Sequence, residues 1–156
     1  ANSSAAAKYP SWLYEALASV AESSFFASAE QCDRDTFRER AAALSPWLQA
    51  RVHFKGGMTG EVVCTVPEAL VRELAATFAG LDPDEPIEPA LIDDLMGEFA
   101  NMVCGRWLTK VSDLSPFDLR APVVTRVATT VVGEMAEMQS LVNGQPARAR
   151  VAFPGW

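Results

Sequence analysis

Asp94, Glu98 and Asn101 are the residues of this sequence whose types and spacing could act together. On a helix, Glu98 lies about 40° round from Asp94 and Asn101 about 20° back on its other side, so the three form one stripe along three turns. The two carboxylates could serve as metal ligands, and the carboxamide can accept and donate hydrogen bonds at once. A metal site would need further ligands, however, and Asp93 points about 100° away from Asp94. A merely solvated helix face would carry the same groups.

The element that must position them is an apolar-periodic run over 91–108, which predicts one long helix. Leu91, Leu95, Phe99 and Met102 mark a different face, which can be buried. Gly97 and Gly105 fall within about 60° of the stripe. Glycine inside a helix is unfavourable by roughly 0.5–1 kcal/mol relative to alanine. Two of them beside one polar stripe suggest close approach by another backbone, that of a partner or of a neighbouring helix.

Little else in the chain competes as a centre. Cys32, Cys64 and Cys104 lack metal-ligand spacing, and His53 is the only histidine, which argues against a zinc site of the usual Cys/His kinds. The cysteines read as small, semi-buried apolar residues. His53 sits in an alternating pattern and reads as a surface strand residue. A net charge of −7 opposes non-specific nucleic-acid binding, which needs basic surface to neutralise phosphates. No apolar run approaches the roughly 20 residues that span a bilayer, and no signal peptide is read at the start, so the expected location is cytoplasmic. The 156 residues fit one domain, 11–156, after a disordered tail over 1–10.

Around the site helix the chain alternates helical and extended patterns. A first helix is predicted over 11–29, capped by Ser11, and a shorter charged helix within 31–44 that Pro46 stops. Residues 48–54 alternate as a half-buried strand, with Leu48, Ala50, Val52 and Phe54 on one side. A glycine-rich turn over 55–60 joins it to a strand over 61–66; no helix follows directly and no Gly-Lys-Ser/Thr is present, so a hairpin fits better than a phosphate cradle. Pro67 is expected to open a helix stacking Leu70, Leu74 and Phe78, with Gly80 at its end. An acidic, proline-punctuated loop over 81–86 leads into the site helix, and a loop over 112–116 leaves it. Strands are predicted over 123–132, ended by Gly133, then over 135–142 and 147–153 around the Asn143-Gly144 hairpin turn. Consecutive late strands imply an antiparallel sheet and an α+β fold. A long helix followed by strands occurs twice, which suggests two related halves, but only the second carries the stripe.

Asp94-x3-Glu98-x2-Asn101, continuing through Met102-Val103-Cys104-Gly105, resembles the signature helix of the CheC/CheX/FliY chemotaxis phosphatases. The glycine-turned hairpin running into Pro67-Glu68, and the Phe117-to-Val124 segment in which Pro122 leads into a strand, resemble the same family. A single motif, in the second long helix, is closer to CheX than to CheC. The resemblance implies an antiparallel sheet covered by two long helices and shorter ones, with pseudo-twofold halves. It also implies hydrolysis of the aspartyl phosphate on a CheY-like receiver domain, with Glu98 pairing with a receiver lysine and Asn101 orienting the attacking water. Asp94 completes the motif. No cofactor of the protein's own is implied; the receiver would supply Mg²⁺. CheX-like proteins are homodimers that join sheets across subunits. The alternative is a non-catalytic adaptor or dimerisation module that binds a receiver without hydrolysing its phosphate.

Overall fold

The computed structural model describes residues 3–82, 84–112, 116–130 and 136–154. The chain starts with a single turn, α1 (Ser3–Ala6), and the first long helix, α2 (Tyr9–Phe25). Pro10 stands in the opening turn of α2, where its missing N–H is no loss, and Lys8 precedes it with no side-chain cap. The helix therefore begins earlier than Ser11, and it ends at Phe25, short of 29. Tyr9 is buried against Trp107 at 5.2 Å between rings, so the folded part reaches into the stretch expected to be a tail.

A three-residue strand, β1 (Ala29–Gln31), precedes α3 (Arg34–Ala41), whose cap Asp33 accepts a hydrogen bond from the Thr36 amide at 2.7 Å. The hairpin of β2 (Trp47–Lys55) and β3 (Thr59–Pro67) follows, with Leu48, Ala50, Val52 and Phe54 turned into the core as the alternation requires. Pro67 closes β3 in an extended conformation and caps α4 (Glu68–Ala79), so it stands before the helix rather than inside it. Gly80 takes the left-handed conformation at the end of α4, φ +68°, which favours glycine. The site helix is α5 (Pro89–Val111). Behind it come a two-residue strand, β4 (Asp118–Leu119), then β5 (Val123–Val127), β6 (Glu137–Val142) and β7 (Gln145–Ala152). The strand expected over 123–132 ends at Val127, and Gly133 lies outside the described residues, as do 113–115, Pro83 and Met135. Asn143 and Gly144 both have positive φ, +49° and +77°, the geometry that matches a two-residue hairpin turn to strand twist.

All the described strands form one antiparallel sheet in the order β1-β6-β7-β3-β2, with β4 and β5 sharing the outer edge of β2. The order reads symmetrically about the central β7–β3 pair. Each half runs long helix, edge strand, hairpin: α2-β1-β2-β3, then α5-β5-β6-β7. The halves are crossed, because β1 pairs with β6 of the second half and β5 with β2 of the first. The fold is α+β with pseudo-twofold halves.

Helices α2, α5 and α4 cover one face of the sheet and bury its alternate residues, among them Val62, Cys64, Ala149 and Val151. The other face carries Gln49, Arg51, Glu61 and Thr65, with the buried pair Arg148–Glu137 at 3.0 Å. At its end α3 sets Phe37 against Trp47. Two apolar residues expected in the core are outside it. Phe78 is 64% exposed, with only one side of its ring against Phe25, and Leu91 is 44% exposed in the first turn of α5.

Candidate functional site

Pro89 fits the first turn of α5, Lys110 sits in the last turn where its charge suits the helix dipole, and a buried spine holds the helix between them. Ile92, Met96, Ala100, Val103, Cys104 and Trp107 are all 1% exposed or less. Burying each of the larger side chains is worth ~1.5–3 kcal/mol. This spine, rather than the expected Leu91-Leu95-Phe99-Met102 line, faces the sheet; Leu95 and Phe99 turn sideways to Leu70 and Leu74 of α4. The Trp107 indole donates to the Tyr9 carbonyl at 3.3 Å and ties the C-terminal part of α5 to α2.

With the spine inward, the stripe points away from the sheet. Asp94 and Glu98 are exposed and Asn101 is half-buried. None of the three makes a side-chain hydrogen bond or ion pair to another described residue. Every other charged or hydroxyl side chain of α5 is engaged. Arg106 donates to the Ser19 and Ser23 hydroxyls of α2, and Lys110 meets Glu15 at 3.2 Å. Thr109 donates to the Arg106 carbonyl at 2.7 Å, and Asp93 meets Arg126 at 2.8 Å. Among the described residues no group of three His, Cys, Asp or Glu side chains converges as metal ligands would.

The two glycines near the stripe have different surroundings. A Cβ on Gly97 would stand 3.0 Å from Pro122 Cγ and 3.6 Å from Val124, so the close neighbour there is the chain's own lead into β5, not another helix. At Gly105 a Cβ would meet none of the described residues within 4 Å.

Arg126 was not singled out by the sequence reading, yet it braces the start of the site helix. It bridges Asp93 of α5 and Glu68 in the first turn of α4, both at 2.8 Å. Its pairing with Asp93, then with Glu68, raises the guanidinium pKa further. One signal was available: β5 alternation puts Arg126 beside Val124 on the helix-covered face, where a cation needs a partner. The cysteines stay apart from the site. Burial pushes the Cys104 thiol up to about 12, and that of Cys64 higher still, so neither is a nucleophile at neutral pH.

Fold and site together define a pseudo-twofold α+β domain whose second long helix presents an Asp/Glu/Asn stripe without partners among the described residues. Residues 48–142 match the family model described as chemotaxis phosphatase CheX, and the chain belongs to that family. Among solved structures it is similar to the chemotaxis protein CheX from Vibrio vulnificus, with 18% identity over 94% of this chain and 97% of that one, TM-score 0.70. It is similar to CheX from Desulfovibrio desulfuricans at 13% identity, 93% and 98% coverage and TM-score 0.69. A more distant likeness is to the CheX-CheY-BeF3-Mg complex from Borrelia burgdorferi, at 11% identity, 88% and 95% coverage and TM-score 0.52. At these identities the likeness is one of fold. A search of curated protein sequences gives no match.

Proposed function

We propose that the protein hydrolyses the aspartyl phosphate of a CheY-like receiver domain by laying α5 across the receiver's active site. One observation carries the reading: Asp94, Glu98 and Asn101 alone among the charged, amide or hydroxyl side chains of α5 lack a partner within the described residues. Family membership and the fold's likeness to a CheX solved with CheY support the choice of partner.

The chemistry asks little of this protein. An acyl phosphate is already activated, and its loose transition state needs charge stabilisation and an aligned nucleophile rather than a new covalent intermediate. The receiver supplies Mg²⁺ and a lysine. The Asn101 carboxamide accepts a hydrogen bond from water through its carbonyl and donates through its NH₂, and so fixes the water in line with the scissile P–O bond. An amide is no general base at neutral pH; orientation is its contribution, and positioning alone can supply several kcal/mol. Glu98, one turn away, pairs with the receiver lysine. Asp94 adds a second negative charge one turn further on.

The assembly proposed is a homodimer in the cytoplasm. Among the described residues β5 pairs only with β2, and this edge, where Val123 is 52% exposed, is where a second copy would join. Light scattering at micromolar concentration tests this, with a mass of twice 16.9 kDa expected.

The deciding experiment is phosphate loss from radiolabelled receivers of the source organism, with and without the purified protein. Acceleration of at least one receiver is expected. If no receiver that binds the protein loses phosphate faster, the protein is an adaptor and the hydrolytic reading fails.

A further inference from the structure

Gly105, half-buried in line with the stripe, is the residue there whose type works against the fold. It lies inside α5, six residues before the helix ends at Val111, where glycine is less favourable than alanine because of its backbone freedom. Its φ is not in the left-handed region, so the backbone does not call for glycine. The described surroundings do not call for it either, since a Cβ there would meet none of the described residues within 4 Å. Gly97 makes the contrast clear: its missing side chain is filled by Pro122, at 3.0 Å from where a Cβ would stand.

The position of Gly105 supplies a reason from outside the chain. It follows Asn101 by four residues, so it lies about 40° round and about 6 Å further along α5. It also falls between the directions of Asn101 and Glu98 around the helix, about 20° from Glu98. The space over Gly105 is therefore continuous with the space in which Asn101 would hold its water. A methyl group here would stand up from the helix surface next to the carboxamide.

We infer that Gly105 is a clearance site, and that the docking surface for the receiver extends from Glu98 through Asn101 toward the C-terminal end of α5, with receiver backbone seated over Gly105. This rests on the receiver-phosphatase reading above and adds to it a direction of docking and a residue that limits depth. The cations of this end do not stand free in the way: Arg106 is held by Ser19 and Ser23 and Lys110 by Glu15, all on α2. Leu91, exposed at the opposite end of α5, lies outside the footprint.

The test uses full-length protein carrying Gly105→Ala, Gly105→Leu or Leu91→Ala, and a receiver that the wild type dephosphorylates, with its beryllofluoride complex as the binding probe. Gly105→Ala is expected to raise the melting temperature by about 1–4 °C, since alanine is the better helix former and meets no clash. The same change should weaken receiver binding and slow dephosphorylation at least tenfold, and Gly105→Leu should weaken both further. Leu91→Ala should leave both within twofold. A stabilised Gly105→Ala protein that binds and dephosphorylates like wild type overturns the inference, as does a lowered melting temperature, which would show that the fold itself requires the glycine. Losses from Leu91→Ala equal to those from Gly105→Ala overturn the direction of docking. If the wild type dephosphorylates no receiver, the underlying functional reading fails instead, and that outcome is distinct because it appears before any substitution is made.

Discussion

Asp93 and Asp94 are consecutive, and Arg126 holds the first at 2.8 Å while no described residue holds the second. A rotation of about 100° between neighbours on the helix separates a structural carboxylate from a free one. Arg126 also reaches Glu68, so one guanidinium fixes α5 to both β5 and the first turn of α4.

Removing that brace should loosen the helix only slightly. Arg126 and Asp93 are each more than a third exposed, so solvent screens the pair. Arg126→Ala is expected to lower stability by about 1 kcal/mol or less in urea unfolding. Receiver binding should change less than it does for Glu98→Ala.

Asn101→Ala should separate chemistry from binding. The side chain makes no hydrogen bond to another described residue, so the melting temperature should stay close to wild type. Turnover should fall by about 100-fold or more if positioning carries the rate. The dissociation constant for a beryllofluoride-loaded receiver should remain within a few-fold. Equal loss of binding and turnover would remove the water-orienting role.

Glu98→Ala should act mainly on association. An exposed carboxylate meeting a lysine contributes through charge, which salt screens over about 8–10 Å at physiological ionic strength. Binding should weaken, and the remaining affinity should depend less on salt than that of the wild type. An unchanged salt slope would argue against a charge-paired role for Glu98.

Gly60→Ala should destabilise the domain at the seam between β3 and β7 rather than on the stripe. A Cβ there would stand 2.6 Å from the Ala152 carbonyl oxygen, a backbone atom that cannot swing aside. A loss of roughly 1–3 kcal/mol is expected from such overpacking, measured by denaturant midpoint. Receiver turnover per folded molecule should be unaltered.

Much of this architecture was legible in the residues. The 3.6-residue period drew α5, the alternation from Leu48 to Phe54 drew β2, and Asn143-Gly144 marked its hairpin. What stayed hidden depended on distant partners. Ala29-Glu30-Gln31 has no strand character of its own and is extended because β6 lies beside it. The period showed that α5 has an apolar face but could not say which of two adjacent lines met the sheet. Leu91 and Phe78 looked like core residues because periodicity cannot reveal where a neighbouring helix stops. The polar stripe was visible in the sequence; its lack of internal partners was not, because that depended on Arg126, Ser19, Ser23 and Glu15 taking up the other side chains.

The crossing of the two halves has a consequence for how the domain can be inherited or dismantled. β1 completes the hairpin of the second half and β5 completes that of the first, so a cut between α4 and α5 leaves each fragment with an orphan edge strand and a sheet lacking its neighbour. Neither fragment is a self-sufficient module. A gene fusion or a protease acting in the 81–88 connector would therefore not release a small working piece with the stripe on it. The helix with the free Asp, Glu and Asn depends on a first half that carries no stripe of its own.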